Sequence, residues 1–294
     1  MNTLLMSILM AVTGLLMGSF AGATVWRLRA RQLAEDKAAG EKVPSKEYKQ
    51  LQPLTKTTRL SDRSHCLHCR HQLAWYDLIP LVSWAMLRGK CRYCHASIGY
   101  LEPLIELGTA VLFVLTYLVL PEPVTIGDWV QLSLWYITGT GLVVLFVYDL
   151  KWFLLPDRVT FPLIGVAILY ALLVTATSIS PLESITSAAM AVGILSGLYL
   201  VLYGISRGAW IGFGDVKLGL VLALMLADWQ LAFLALLLAN LIGCMIVLPG
   251  MLTKRLTRTS QVPFGPMLIM GFWIAGLFGK GIVDWYLALL VVNL

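Results

Sequence analysis

Long apolar runs alternate with short polar segments along most of the chain. A run of about 20 apolar residues predicts a membrane-spanning helix, because a helix satisfies its own backbone hydrogen bonds where lipid offers no partner. Eight runs qualify, at about 4–26, 103–120, 129–148, 159–177, 185–206, 216–227, 231–249 and 264–279. The sixth holds only about 12 residues, so a re-entrant or tilted element is its alternative. The pattern predicts an all-α polytopic membrane protein with about eight transmembrane helices.

Composition agrees with this class. Apolar residues make up 59% of the 294 residues, charged residues make up 13%, and the mean hydropathy is +0.80. A soluble domain rarely has such values. The first run is longer than the core of a signal peptide, so we expect it to remain as an anchor.

Basic residues are concentrated between residues 27 and 99, where 14 of the 22 lie together with six acidic residues. The positive-inside rule places this segment in the cytoplasm and the N-terminus on the opposite side of the membrane. With eight alternating spans, every later Lys or Arg except Lys280 then also falls on the cytoplasmic side. The positive charge therefore reports topology and a lipid bilayer partner, and it requires no nucleic acid.

The same pattern divides the chain into three parts. Residues 1–26 are the first transmembrane helix, residues 27–100 are a cytoplasmic loop, and residues 101–294 are a transmembrane helical domain. The first half of the loop, residues 29–63, is charged and lacks apolar periodicity, so we expect it to be mobile or loosely helical.

Four cysteines in the loop form two C-x2-C pairs, Cys66 with Cys69 and Cys91 with Cys94. Two pairs at this spacing are typical of a tetrahedral zinc site that is closed to water and therefore structural. The alternatives are two disulfides, which a reducing cytoplasm disfavours, or incidental thiols. All four histidines of the chain lie nearby, and we interpret them as neighbours of the metal. The fifth cysteine, Cys244, is interpreted as a packing residue.

Acidic residues near the membrane edge are functional candidates because burying a charge in lipid is costly. Two contexts stand out, YDLKWFLLPD around Asp149 and GFGDVK around Asp215. Two carboxylates that share a proton can hydrolyse a peptide bond, one as base toward water and one as acid toward the carbonyl. The other acids near the same face are Glu102, Glu106 and Asp157.

The glycines of GFGD have two explanations. Gly212 and Gly214 either let a peptide backbone approach closely or adopt angles barred to other residues. The simpler alternative is a loop-to-helix junction with Asp215 as the N-cap. We interpret Asp157 as a secondary carboxylate that holds the loop or tunes the pair, and its simpler alternative is a helix cap or a partner of a lysine.

Taken in order, several segments resemble the type IV prepilin leader peptidases, membrane aspartic proteases of the GxGD kind. The resemblance covers nearly the whole chain and rests on GSF at 18–20, the paired C-x-x-C loop with SWAMLRGKCRYC, YDL and LLPD, GFGD followed by VKL, and VPFGPMLIMG at 262–271. It implies that Asp149 and Asp215 are the catalytic pair. It also implies a bacterial inner-membrane enzyme that cuts the basic leader of a prepilin or pseudopilin after a glycine at the cytoplasmic face.

Family members with the cysteine loop typically then methylate the new N-terminus with S-adenosylmethionine, so the resemblance implies this second activity and this methyl donor. The chain departs from the usual pattern at two places. Gly22 stands where the family commonly has asparagine, and Leu101-Glu102-Pro103 stands where it usually has Arg-Tyr-Pro, with Glu106 retained. Both departures fall in regions linked to methyl transfer or leader recognition.

Two other classes of protein are alternatives. An ion-coupled membrane transporter would place its carboxylates at the centre of broken spans, whereas these lie at span ends. A metal-dependent enzyme would use the cysteine cluster catalytically, which a full shell of four thiolates disfavours.

Overall fold

The computed structural model describes residues 3–55, 63–254 and 262–292. Within these ranges the secondary structure is helical, and the β pairing consists of two isolated bridges in the cysteine loop. The α-helices are α1 (Thr3–Ala38), α2 (Ser45–Leu51), α3 (Val82–Met86), α4 (Leu101–Val119), α5 (Ile126–Trp152), α6 (Asp157–Thr177), α7 (Pro181–Val192), α8 (Leu198–Ser206), α9 (Phe213–Leu226), α10 (Trp229–Leu252) and α11 (Gly265–Val292). A π-helical turn, Gly193–Gly197, joins α7 to α8.

Seven helices in the described part of the chain are long and apolar enough to cross a membrane, with α7, the π turn and α8 counting as one. This confirms the prediction of an all-α polytopic membrane protein. The sixth predicted run is α9, which has 14 residues and is too short to qualify. Whether α9 is a full span or the re-entrant or tilted element of the alternative stays a prediction.

The chain forms two compact units, residues 1–118 and 119–294, so α4 groups with the cysteine loop and α1. Two glycines on α1 allow it to pack closely against α4. A Cβ atom at Gly14 would lie 2.6 Å from the Cα of Ala110, and one at Gly18 would lie 2.6 Å from the Cα of Glu106. Small residues four apart are the usual means by which membrane helices approach at backbone distance.

The first helix does not stop at the end of its apolar run but continues to Ala38. Its polar end packs against α2 through a small cluster of Ala30, Leu33 and Leu51. Arg29 and Glu47 form an ion pair of 2.9 Å beside this cluster. Of the segment expected to be mobile or loosely helical, residues 29–38 and 45–55 are helical, and Leu33 and Leu51 pack together; residues 56–62 lie outside the described ranges.

In the second unit, α9 is enclosed by other helices, including α6, α7, α10 and α11. A Cβ atom at Gly219 would lie 2.3 Å from the carbonyl oxygen of Leu195, so the π turn touches the backbone of α9. Ser196 Oγ also donates a hydrogen bond to the Val216 carbonyl oxygen at 3.0 Å. A short helix surrounded in this way has no need to match the thickness of the bilayer.

Candidate active site and candidate metal centre

Asp149 lies in the last turn of α5 and is 6% exposed. Its Oδ2 accepts a hydrogen bond of 3.1 Å from the backbone N–H of Gly265, the first residue of α11. A helix N-terminus has free N–H groups and favours a carboxylate beside it. A Cβ atom at Gly265 would lie 2.7 Å from Asp149 Oδ2, so this contact requires glycine.

Asp215 lies in the first turn of α9 and is half-buried. The N-cap of this helix is Gly212, so the simpler alternative, in which Asp215 itself is the N-cap, is wrong. Gly212 has φ −75° and ψ 150°, and Gly214 is not among the residues with positive φ, so neither position adopts angles barred to other residues. Close packing explains why position 214 is a glycine, because a Cβ atom there would lie 3.2 Å from the side chain of Leu155.

The fold brings the two aspartates, 66 positions apart in the sequence, close enough for their charges to interact. The Leu155 side chain, six residues after Asp149, contacts both the start of α9 and the start of α11. It comes within 3.2 Å of a Cβ position at Gly214 and within 3.6 Å of one at Gly265, the residue that bonds to Asp149. Both carboxylates lie at helix ends and not at the centre of a helix.

Tyr199 on α8 was not anticipated from the sequence. It is 3% exposed, its ring contacts Phe264 at 5.6 Å between centroids, and it interacts electrostatically with Asp215. Its hydroxyl has no hydrogen-bond partner among the described residues. The sequence could not indicate this interaction with Asp215, because packing alone would account for a tyrosine in an apolar span.

Asp157 forms an ion pair with Lys217, which links the first residue of α6 to the first turns of α9. The Asp157 side chain is half-exposed, whereas Lys217 is largely covered and lies over the rings of Phe161 and Phe213. The expectation that Asp157 pairs with a lysine is confirmed. Because Lys217 follows Asp215 by two positions, the pair orients the turn that carries that carboxylate.

Glu102 and Glu106 lie on α4 in the first unit. Glu102 Oε1 accepts a hydrogen bond of 3.1 Å from the indole N–H of Trp26. Glu106 is 8% exposed, and its Oε2 accepts a hydrogen bond of 2.8 Å from the backbone N–H of Leu81. These bonds tie α4 to α1 and to the cysteine loop.

The four cysteines of the loop meet in space, and together they could hold a metal ion. Their sulfurs all lie within 4.8 Å of one another, and Cys66 Sγ is 3.9 Å from Cys94 Sγ. Sulfurs about 2.3 Å from a tetrahedral Zn²⁺ would lie about 3.8 Å apart, whereas a disulfide bond is about 2.05 Å long. The cysteines are free, and among the described residues no histidine joins the group.

Each C-x2-C pair is held by the same local structure. An isolated β-bridge closes each turn, His65 with Gln72 and Lys90 with Ser97. The residue after the second cysteine of each pair, Arg70 and His95, has a left-handed backbone conformation. The two turns therefore present their sulfurs in equivalent ways.

The environment of Cys91 favours a thiolate. Burial raises the pKa of the Cys91 thiol, but hydrogen bonds with the backbone of Cys94 and Tyr93 and with neighbouring thiols lower it more, to about 7. A metal-binding cysteine has to lose its proton, so this environment suits a ligand.

Each of the two units contains a segment that matches a known protein family. Residues 12–120 match the bacterial peptidase A24 N-terminal domain. This match, together with the membrane helices, places the chain among membrane-bound peptidases. Residues 136–248, which carry both aspartates, match the type IV leader peptidase family. The chain belongs to the type IV leader peptidase family.

Several curated relatives are named prepilin leader peptidase/N-methyltransferase. A protein of Aeromonas hydrophila is 36% identical over 76% of this chain and 74% of its own length. One of Aeromonas salmonicida is 33% identical over 93% of this chain and 91% of its own length, and one of Bacillus subtilis is 29% identical over 78% and 86%. No solved structure gives a significant match.

Proposed function

We propose that this protein is an aspartic endopeptidase of the bacterial inner membrane. It removes the basic leader of type IV prepilins or pseudopilins after a glycine at the cytoplasmic face and then methylates the new N-terminus. The observation that carries the proposal is that Asp149 and Asp215 lie at helix ends, near enough for their charges to interact, in the part of the chain that matches the leader peptidase family. The names of the relatives support both activities.

In the proposed cleavage, the aspartates share one proton. The ionised carboxylate takes a proton from water as the water oxygen attacks the scissile carbonyl carbon, and the protonated carboxyl donates to the carbonyl oxygen. The C–N bond then breaks, and the amine leaves with a proton returned by the pair. The Gly265 N–H holds one oxygen of Asp149, which leaves its other oxygen for water or substrate.

The exposed Gly212 gives the substrate room beside Asp215. Nothing but Asp215 and the neighbouring glycine lies within 4 Å of a Cβ position at Gly212. An extended peptide can therefore approach this part of the site more closely than a side chain would allow. Gly214, in contrast, serves the packing of Leu155.

The positive-inside rule supports a cytoplasmic location for the cysteine loop and a periplasmic N-terminus. In that loop, Cys66, Cys69, Cys91 and Cys94 would hold Zn²⁺, which would supply folding free energy rather than take part in hydrolysis. S-adenosylmethionine would supply an electrophilic methyl group to the amine that cleavage exposes.

Two isosteric substitutions test the acid pair. In a cleavage assay on a co-expressed prepilin, Asp149→Asn and Asp215→Asn should each abolish cleavage, because an amide cannot act as the base or share the proton. The exposed carboxylate of Asp284, in the same unit, gives the matched control Asp284→Asn, which should cleave normally. Normal cleavage by a membrane-inserted Asp215→Asn protein would disprove the mechanism.

Mass spectrometry distinguishes the two proposed activities, because each changes the mass of the substrate differently. Cleavage lowers the mass of the pilin by that of its leader, and methylation then adds about 14 Da to the product, the mass of a CH₂ group. Mass spectrometry of the co-expressed prepilin should therefore detect both changes with the unmodified protein. A cleaved product without the added methyl would refute the second activity and leave the first intact.

A further inference from the structure

The first unit contains a cavity of about 400 Å³ beside the cysteine loop. Its position follows from the glycines of α1. At Gly14 and Gly18 the helix touches the backbone of α4, but one turn later a Cβ atom at Gly22 would meet only the tip of Ile105, at 3.8 Å. The two helices diverge there, and Gly22 lines the space that opens between them.

Carboxylates and indoles lie together in the wall of this cavity. Glu102, Glu106, Trp26 and Trp84 all line it. One oxygen of Glu102 is bonded to Trp26, but the other, Oε2, is buried and has no hydrogen-bond partner among the described residues. The cavity is otherwise bordered mainly by apolar side chains.

Cationic side chains also reach the wall. Arg27 lines the cavity, and Arg92 lines it while paired at 2.7 Å with Asp77. Because Arg92 pairs with Asp77, it does not neutralise Glu102 and Glu106, the two carboxylates that α4 contributes to the wall. An incompletely bonded buried carboxylate is costly, and a bound cation beside it would repay part of that cost.

The cavity therefore favours a ligand with three properties. Its volume suits a small molecule of drug size, since such pockets are typically about 300–1,000 Å³. Its carboxylates favour a positive charge, and its indoles favour a cation or a planar ring against their faces. A single lysine or arginine side chain would satisfy the charge but would leave much of the volume empty.

We propose that this cavity is the binding site for the methyl donor, S-adenosylmethionine, with Glu102, Glu106 and the two indoles as its recognition groups. This assignment rests on the proposed methyl transfer. The donor carries a sulfonium charge, an adenine ring and an apolar chain, and so combines the three properties in one molecule. Gly22 provides the space, because any larger side chain at this position would extend into the cavity.

The test measures binding directly, on the full-length protein in lipid nanodiscs, by isothermal titration with S-adenosylmethionine. Gly22→Phe fills the cavity, and Glu102→Gln removes the charge while keeping an oxygen for the Trp26 indole. Matched controls are Gly108→Phe on α4, where a Cβ atom meets nothing within 4 Å, and Glu122→Gln at an exposed position. Helix content by circular dichroism confirms that each variant is folded.

We expect S-adenosylmethionine to bind the unmodified protein and both controls equally. Binding should become undetectable with Gly22→Phe, and it should weaken by about tenfold with Glu102→Gln, which corresponds to about 1.4 kcal/mol. Wild-type affinity in both Gly22→Phe and Glu102→Gln would overturn the proposal. So would a basic leader peptide that binds the unmodified protein but not Gly22→Phe, while S-adenosylmethionine binds both.

Failure of the inference can be told from failure of the proposed function. An unmodified protein that cleaves a prepilin but neither binds S-adenosylmethionine nor adds a methyl group contradicts methyl transfer itself. An unmodified protein that binds the donor and methylates, together with variants of Gly22 and Glu102 that bind it just as tightly, contradicts only the assignment of this cavity.

Discussion

The contact between Asp149 and Gly265 allows a prediction in which one methyl group disables the acid pair. In Gly265→Ala, the new Cβ would lie 2.7 Å from Asp149 Oδ2, whereas ordinary contacts begin at 3.4 Å. The carboxylate must therefore retreat by about 0.7 Å, the difference between 3.4 and 2.7 Å. The same retreat stretches the 3.1 Å hydrogen bond from the Gly265 N–H beyond bonding range.

The expected cost follows from the kind of bond that is lost. A hydrogen bond to a charged group contributes about 1.5–3 kcal/mol, and each 1.4 kcal/mol of lost transition-state stabilisation lowers the rate about tenfold. If the bond positions Asp149 for proton transfer, kcat for prepilin cleavage should fall by about 10- to 100-fold. KM should change by less than about threefold, because the substrate backbone still reaches the site.

The control comes from the same helix. Gly281 on α11 has nothing within 4 Å of its Cβ position, so Gly281→Ala adds the same methyl group without a clash. We would measure kcat and KM on a purified prepilin in detergent for both variants, with rates normalised to the inserted protein. Equal kcat values in Gly265→Ala and Gly281→Ala would refute the positioning role of this contact.

Three further predictions concern other parts of the molecule. Removal of metal by a chelator should leave prepilin cleavage unchanged but abolish S-adenosylmethionine binding, because two of the cysteines line the cavity. A protein that loses cleavage but keeps S-adenosylmethionine binding would contradict a structural metal. Tyr199→Phe should lower kcat by about tenfold, because the hydroxyl interacts electrostatically with Asp215. Thermal unfolding should show no loss of stability, because that buried hydroxyl is unpaired in the described structure. Asp77→Asn should destabilise the cysteine loop at neutral pH. Burial raises the pKa of Asp77, but hydrogen bonds from Arg92, the Ala74 N–H and Tyr93 leave it below its ordinary value. The stabilisation is therefore present at neutral pH and lost in acid, and the difference in melting temperature between variant and unmodified protein should narrow below about pH 4.

The spans could be predicted from hydropathy because lipid imposes a single requirement, internal hydrogen bonding over a fixed thickness. The C-terminal end of α1 could not be predicted in this way. Its apolar run ends near residue 26, but the helix continues to Ala38 because Leu33 packs against α2, a contact between segments separated in sequence. The ends of α9 lie close to those of the predicted run. Nothing in the sequence, however, indicates that other helices enclose α9.

The candidate metal centre was predictable because its ligands are local. Each C-x2-C pair forms within one turn, so spacing alone indicates half of the sulfur group. The cavity beside it was not predictable, since it depends on where α1 and α4 stop touching. Gly22 differs from Gly14 and Gly18 only in what lies opposite it on α4.

By itself, the sequence determined the class of the protein, its apolar spans, its four candidate sulfur ligands and, through motifs, the two aspartates. These are properties of short segments, which spacing and hydropathy record. Only the tertiary structure decided that Asp149 is bonded by the start of α11, that Leu155 contacts Gly214 and Gly265, and that Tyr199 interacts electrostatically with Asp215. Each of these contacts joins residues far apart in the chain, and their distances depend on how the helices pack.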